Sequence, residues 1–169
     1  MANNCMYDIH VTGSKEGVDA IRSGFGIPEN TDVLFGRIYG AEEYDSGERD
    51  GEHYSYLYGD CAWSVDSAFN KNFTDIISKY KLNVEIYSEE PGVGFMEHYM
   101  WEYGEMTLDE TADFLLWHID DLVDEEDLEV FLANDLVKKA KITKENYLSF
   151  ADDDGYIKIG GYDYIWTIN

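Results

Sequence analysis

Histidine and cysteine are the residue types in this sequence that could carry metal or nucleophilic chemistry. The four histidines are His10, His53, His98 and His118. No two of them have the spacing of a zinc site. Two neighbouring pairs, Glu97-His98 and Asp60-Cys61, combine an acid with a base or a nucleophile. Because adjacent residues of a strand point to opposite faces, neither pair meets directly. No serine lies in a Gly-x-Ser-x-Gly motif. The sequence therefore predicts no catalytic residue, no metal and no cofactor, and we expect a protein that is not an enzyme.

Two short motifs could in principle bind an ion. The glycines of residues 92–94 could hold a phosphate, but Glu89 and Glu90 lie beside them and repel an anion, so a β-bulge is the better interpretation. The acidic triplet of residues 152–154, followed by Gly155, could hold a cation, because clustered carboxylates suit hard ions. It lacks the long loop with a terminal glutamate that calcium sites use, and we expect solvated Asx-turns before a strand.

The distribution of charge is the most informative feature. Residues 82–137 contain 17 acidic residues and no Lys or Arg, whereas lysines cluster within residues 138–144. A surface selected for solubility alone would intersperse both signs, because grouped like charges repel one another and cost stability. The grouping therefore indicates a partner surface, although an acidic-proteome or halophilic protein would also carry many carboxylates. The residues expected to contact a partner are Asp109, Asp113, Asp120, Asp121, Asp124, Glu125, Glu126, Asp127 and Glu129, together with Glu42, Glu43 and Asp45 of a preceding polar loop.

Composition limits the classes of protein that remain. The chain has 169 residues, 44% of them apolar and 15% aromatic, and a net charge of −24 from 36 acidic and 12 basic residues. So many aromatic residues argue against a disordered acidic segment. The negative charge argues against direct binding of nucleic acid or of an anionic membrane. No apolar run reaches the roughly 20 residues that span a bilayer, and the first residues do not resemble a signal segment. Two cysteines are too few for a disulfide framework, so we expect buried thiols in a cytoplasmic protein.

The strand and helix patterns predict an α+β fold. Residues 1–106 give a β-α-β-β-α-β core with one extra strand, which is the ferredoxin-like arrangement of one antiparallel sheet with both helices on one face. Helices are expected over residues 15–24 and from residue 64 to about residue 77, with Phe69, Phe73 and Ile76 against the sheet. The expected strands cover residues 5–12, 33–39, 53–63, 82–87 and 95–103, with a polar loop over residues 40–53.

The remaining third, residues 107–169, is predicted to form an acidic helical appendage that packs on the core. Thr107 and Glu110 match a capping box, and apolar residues at helical spacing follow through Val123. A second helix is expected over residues 125–136. A terminal β-hairpin is expected over residues 156–168, because a Gly-Gly pair suits its tight turn.

Three short motifs resemble a known family. They are residues 4–13 (Asn-Cys-Met-Tyr-Asp-Ile-His-Val-Thr-Gly), residues 59–63 (Gly-Asp-Cys-Ala-Trp) and residues 88–95 (Ser-Glu-Glu-Pro-Gly-Val-Gly-Phe). Together they resemble the YubB-type ferredoxin-like domains of phages and plasmids, over residues 3–105. The tryptophan usually found beside the opening cysteine of that family is absent here. The resemblance implies a ferredoxin-like core and a mobile-element origin, and it implies no catalytic residue.

These observations lead to a functional hypothesis. B-DNA carries one charge per about 1.7 Å of its axis, and carboxylates on successive turns of a helix recur about every 5.4 Å. Two acidic helices and an acidic loop could therefore approximate a phosphate array. We expect an inhibitor of a host nucleic-acid-handling defence system, anti-CRISPR or anti-restriction, that acts as a DNA mimic. It would bind stoichiometrically to the basic DNA- or RNA-binding surface of a host protein. The alternative is a protein-interaction module that binds a basic partner or self-associates through its sheet.

Overall fold

The computed structural model of the chain describes residues 3–28 and 35–168 and is α+β. Within those residues the strands are β1 Asn4–Gly13, β2 Ile38–Arg49, β3 Glu52–Ala62, β4 Asn83–Glu90, β5 Phe95–Glu102, β6 Glu105–His118 and β7 Tyr156–Gly160. The helices are α1 Lys15–Gly24, α2 Val65–Ala68, α3 Lys71–Tyr80, α4 Glu125–Ala133 and α5 Asp135–Lys139, and 3-10 turns cover Ile119–Leu122 and Tyr147–Phe150.

The strands form an open antiparallel sheet in the order β2-β3-β1-β4-β5-β6-β7. The prediction of an α+β protein with an antiparallel sheet is therefore confirmed. By its contacts the chain divides into two compact units. The first unit comprises residues 1–111 with residues 163–169, and the second comprises residues 112–162.

The first unit is built on the alternation of strand β1. Ile9 has no exposed surface and stands between Leu57 of β3 and Ile86 of β4 in the register of the sheet. Helix α1 begins at the predicted place because the Ser14 side chain accepts a hydrogen bond from the Gly17 amide, which satisfies a free donor of the first turn. Phe73 of α3 is also fully buried, in the same apolar cluster.

Two local predictions in the first unit are corrected. The predicted polar loop over residues 40–53 is largely strand, because β2 pairs with β3 along Ile38–Arg49. Its side chains are mostly exposed at the end of the strand order, so the apolar alternation of a buried strand is missing. The strand predicted over residues 33–39 falls partly outside the described residues. The single helix expected from residue 64 is two helices, because α2 ends at Ala68 with an extended Phe69, and the Asn70 side chain caps α3 by accepting from the Asn72 amide.

The second unit has a smaller apolar core of its own. Leu122, Phe131 and Val137 are almost completely buried, and Ile157 of β7 packs with them. The helix predicted over residues 125–136 is present as α4 and α5, divided at Asn134, whose side chain caps α5 through the Leu136 amide. The helical spacing of apolar residues also predicts that Leu115, Leu116 and Ile119 are buried. In the structure these three side chains are half-buried.

The helix predicted from Thr107 to Val123 is wrong. This stretch is strand β6 as far as His118, followed by a 3-10 turn. A run of consecutive apolar residues, from Phe114 to Trp117, satisfies a helical pattern and a strand pattern equally. Tertiary pairing decides between them, because residues 114–118 of β6 pair with residues 156–160 of β7.

The prediction of a terminal hairpin over residues 156–168 is also wrong. Strand β7 pairs with β6, and residues 162–168 form no strand. Gly160 and Gly161 both have positive φ, 79° and 77°, which glycine adopts without strain, but the chain beyond them does not return along β7. The partner of β7 lies about forty residues earlier in the sequence, and local turn chemistry carries no signal for that pairing.

Candidate functional site

The acidic residues of the predicted loop lie on strand β2 and differ in their surroundings. Glu42 and Asp45 are exposed, and both accept hydrogen bonds from tyrosine hydroxyls of β3. The Glu43 carboxylate accepts two hydrogen bonds from Arg22, from Nε at 2.6 Å and from Nη2 at 2.9 Å, and a third from Ser55 at 2.6 Å. Burial acts to raise the pKa of Glu43, but the hydrogen bonds from Arg22 and Ser55 outweigh it and the pKa is lowered. Glu43 is therefore engaged within the fold.

The acidic residues of the second unit are exposed and stand close together in the sequence. Asp120 and Asp121 belong to the 3-10 turn, Asp124 precedes α4, and the next three carboxylates occupy its first turn. Negative charge there is favourable, because the free amides of a helix start carry partial positive charge. The described ion pair in this stretch joins Glu125 to Lys144 at 3.0 Å, and the Asp120 amide donates a hydrogen bond to His118 Nδ1 at 3.2 Å. The acidic surface of residues 120–129 thus lies on a 3-10 turn and one helix. Its members are Asp120, Asp121, Asp124, Glu125, Glu126, Asp127 and Glu129.

Asp109 and Asp113 lie on strand β6 and are exposed. Side chains on one face of a strand recur about every 6.6 Å, instead of every 5.4 Å as in a helix. The helical spacing of about 5.4 Å, which was compared with the spacing of DNA phosphates, therefore applies only to the carboxylates on α4. A single surface that combines residues of β2, β6 and α4 stays a prediction.

The sequence did not identify three buried carboxylates of the first unit. Glu90 accepts from the Gly92 and Val93 amides of its own turn, whereas each of the other two bonds several elements of the fold.

The first of these two is Glu97 on β5, which is 3% exposed. It accepts hydrogen bonds from the Val65 amide at 2.8 Å, from the Ser88 hydroxyl at 2.7 Å and from the Tyr99 hydroxyl at 2.8 Å. Because those donors come from three different elements, Glu97 joins the start of α2 to strands β4 and β5.

The second of these two carboxylates, Glu85 on β4, has no exposed surface. One of its oxygens accepts from His98 Nε2 at 2.8 Å, and the other accepts from the amides of Thr167 and Ile168 at 2.7 and 3.0 Å. In the register of the sheet Glu85 stands beside His10 of β1. Both side chains lie on the open face of the sheet, opposite the face that α1 and α3 cover.

His10 is enclosed by aromatic rings on that open face. Its ring stacks on Tyr56 at 3.8 Å and on Trp166 at 3.6 Å. Nδ1 donates to the Ile168 carbonyl, and Nε2 contacts the Tyr44 hydroxyl, both at 2.9 Å. Burial lowers the pKa of His10, although the hydrogen bond to Ile168 and the charge of Glu85 act to raise it. Burial also raises the pKa of Tyr44 to about 12.

A sequence signal for these groups exists, but it is weak. Glu85 and Glu97 each interrupt an apolar strand, and a charged residue in such a strand is buried only when it is well bonded. The sequence carries no signal for the strand register that pairs His10 with Glu85. It also carries no signal that residues 163–168 belong to the first unit.

The cysteines and the acidic triplet of residues 152–154 have structural roles in the fold. Cys5 and Cys61 are free, fully buried and opposite each other in β1 and β3, as the prediction of buried thiols requires. The Asp152 side chain accepts from the amides of Asp154 and Tyr156, which confirms the Asx-turn. Among the described residues, no group of three or more His, Cys, Asp or Glu is arranged to hold a metal ion. None of the helices in the described part of the chain has the length and apolar character needed to cross a bilayer.

In comparisons by sequence and by structure, the chain matches no protein-family model, no curated protein and no solved structure. The resemblance to YubB-type domains stays a prediction.

Proposed function

We propose that this chain is a non-catalytic binding protein whose acidic surface of residues 120–129 engages a basic, nucleic-acid-binding surface of another protein. The observation that carries the proposal is the combination of charge and exposed apolar area in one short stretch. Exposed carboxylates stand there next to two exposed valines, Val123 at 78% and Val130 at 58%.

The physical basis is competition for the same basic side chains. Arg and Lys that bind phosphate also form charge-assisted hydrogen bonds with carboxylates. A dense group of carboxylates raises the local negative potential and speeds encounter with a positive groove. The exposed valines add apolar contact area that a phosphate backbone lacks. Such a protein would act by occupying the groove, with one molecule bound for each target inhibited.

The finer proposal concerns the biological setting. The resemblance to phage and plasmid domains favours an inhibitor of a host defence system, anti-CRISPR or anti-restriction, acting in the host cytoplasm as a DNA mimic. The strand order β2-β3-β1-β4 of the first unit, with α1 after β1 and α2 and α3 after β3, supports a ferredoxin-like core.

A second candidate function is a protein-interaction module that uses the sheet. Strand β2 ends the strand order and carries exposed tyrosines, Tyr39 at 58% and Tyr44 at 49%. An unpaired strand edge can add a strand from a partner or from a second copy. Salt dependence separates the two candidates, because an apolar or main-chain interface is far less sensitive to ionic strength than an ion-paired one.

The test combines capture with competition. The immobilised chain is used to capture a target from a bacterial lysate, and the purified target is then bound to fluorescent duplex DNA. We expect the chain to displace the DNA at one equivalent, and its direct binding to the target, measured without DNA, to weaken at high salt. In the test variant Asp121, Asp124 and Glu126 are replaced by lysine. The loss of inhibition should reach orders of magnitude, because each desolvated charge-assisted contact contributes about 1.5–3 kcal/mol.

The matched control replaces Glu52, Glu102 and Glu105 by lysine. These three residues are exposed in the first unit, so both variants change the net charge equally. If both variants lose inhibition alike, bulk charge and not the acidic surface of residues 120–129 is responsible. If neither variant changes the displacement of DNA, the acidic surface of residues 120–129 is not the binding site, and the sheet-based module is favoured.

A further inference from the structure

Residues 163–168 lie on the open face of the sheet in the first unit as an extended segment. Tyr164, Trp166 and Ile168 are half-buried, whereas the residues between them are exposed, including Ile165 at 74%. Side-chain burial therefore alternates with a period of two residues, as in a strand, although these residues are not part of a strand. The face beneath it, termed here the open-face site, comprises His10, Tyr44, Tyr56, Glu85, Tyr87 and His98.

The polar contacts of the open-face site are made to backbone atoms of the segment. Glu85 accepts from two consecutive amides, those of Thr167 and Ile168. His10 Nδ1 donates to the Ile168 carbonyl, and the Tyr87 hydroxyl donates to the Ile165 carbonyl at 3.1 Å. Every peptide carries these backbone groups, so this part of the site recognises an extended main chain and not a particular side chain.

The side-chain contacts supply the selectivity. Trp166 stacks on His10, which in turn stacks on Tyr56. Tyr164 stacks on Tyr87 at 4.4 Å, and Tyr87 stacks on His98 at 4.0 Å. Two aromatic side chains, two residues apart, are therefore received on two stacks of rings, which touch where Trp166 meets Tyr87 edge to face at 5.1 Å.

The Glu85 carboxylate receives most of its described hydrogen bonds from the segment, to which two of its three described donors belong. An extended peptide that offers two consecutive amides can make the same two hydrogen bonds to the carboxylate.

We propose that the open-face site binds extended peptides with aromatic residues at positions i and i+2, and that residues 163–168 occupy it intramolecularly until such a peptide displaces them. The site shares no residue with the acidic surface of residues 120–129, so the two proposals can fail independently.

The test uses a fluorescent peptide with the sequence of residues 162–168, Tyr-Asp-Tyr-Ile-Trp-Thr-Ile. The control peptide has alanine at the positions of Tyr164 and Trp166. Binding by fluorescence anisotropy is measured for the full chain and for its Trp166→Ala variant. The variant should bind the peptide at least about tenfold more tightly than the unaltered chain, because a tethered competitor acts at high effective concentration. Adding Glu85→Gln to the variant should abolish binding, because a neutral amide with one acceptor oxygen cannot replace the carboxylate.

Several outcomes would overturn the proposal. They are equal binding of the test and control peptides, equal binding by the two chains, and binding that survives Glu85→Gln. Dimerisation of the variant by exchange of its segment, without peptide binding, would also overturn it. If Trp166→Ala does not fold, hydrogen exchange of the unaltered chain decides. The amides of Thr167 and Ile168 should exchange about a hundredfold faster than the Ile9 amide, through detachment of the segment. Exchange of all three amides only by global unfolding would make the segment a fixed part of the fold.

Discussion

The carboxylates of the first unit and those of the second unit differ in what surrounds them. Glu85 and Glu97 are buried, and each accepts at least three hydrogen bonds, some of them from elements distant in sequence. Asp121, Asp124 and Glu126 are exposed. The two groups contain the same residue types but have opposite energetic roles: the buried carboxylates hold elements together, and the exposed ones raise the electrostatic cost of folding. Net charge alone therefore does not identify a binding surface, because some of that charge is consumed inside the fold.

The largest loss of folding stability is expected when Glu97 is replaced. Replacing it with alanine leaves the Val65 amide and the hydroxyls of Ser88 and Tyr99 without their acceptor. Unfolding by urea should show a loss of about 3 kcal/mol or more, as is typical when one member of a buried polar network is removed. Glu102→Ala on the same strand is the control. It removes an exposed carboxylate and should change stability by no more than about 0.5 kcal/mol. Equal losses for the two variants would remove the distinction between buried and exposed carboxylates.

A smaller effect is expected at Arg22. Its guanidinium donates two hydrogen bonds to Glu43, and both side chains are mostly buried. Arg22→Ala should therefore lower the free energy of unfolding by about 2 kcal/mol. Lys15→Ala in the same helix removes an exposed pair with Asp19 and should cost about 0.5 kcal/mol or less. A negligible loss in the Arg22 variant would mean that Glu43 is as free for a partner as the exposed carboxylates.

The pH dependence of stability should carry a still smaller contribution from His10. The folded-state pKa lies below the ordinary value of 6.5, with burial as the main cause. As the pH falls below that value, the unfolded chain takes up the proton first. The stabilisation is therefore present above the ordinary pKa and is lost as the pH falls toward the folded pKa.

Urea unfolding at a series of pH values from about 7 to about 5 should show this loss, and His10→Gln should reduce it. The charged and titratable groups facing His10 are Glu85, Tyr44 and Tyr56, so each pH series is repeated in the Glu85→Gln variant. His53→Gln serves as the histidine control. A pH series that is identical in wild type and His10→Gln would assign the loss to other groups.

The smallest effect on stability should come from the acidic surface of residues 120–129. Reversing Asp121, Asp124 and Glu126 to lysine relieves repulsion between like charges but removes negative charge from the start of α4. These contributions oppose each other, so the melting temperature should change little or rise slightly. A large fall, measured by circular dichroism, would show that these carboxylates have structural roles like those of Glu85 and Glu97.

Sequence patterns predicted the parts of the fold that depend on local interactions. Helix α1 begins at its predicted residue because Ser14 caps it, and strand β1 lies in a segment that alternates loosely and is rich in strand-forming residues. The patterns failed where a distant segment decides the structure. Residues 114–117 are apolar in succession, and only pairing with β7 makes them strand.

The open-face site was not predictable for the same reason. Its chemistry depends on the register that brings Glu85 beside His10, and on residues that return from the far end of the sequence. Each histidine or glutamate considered alone is typical of an ordinary half-buried strand position. Only their combination with the 163–168 segment gives the site its form.

The position of strand β2 at the end of the strand order affects how whole molecules behave in solution. An unpaired strand edge can template the pairing of further chains, and charged side chains along it oppose such growth. Glu42, Asp45 and Glu48 supply that charge in an edge otherwise rich in tyrosine. Near the isoelectric point of about 4.1, protonation removes much of the repulsion. The same acidity that keeps the molecules apart at neutral pH then no longer protects the edge, and fibrillar association through β2 becomes the expected route of precipitation.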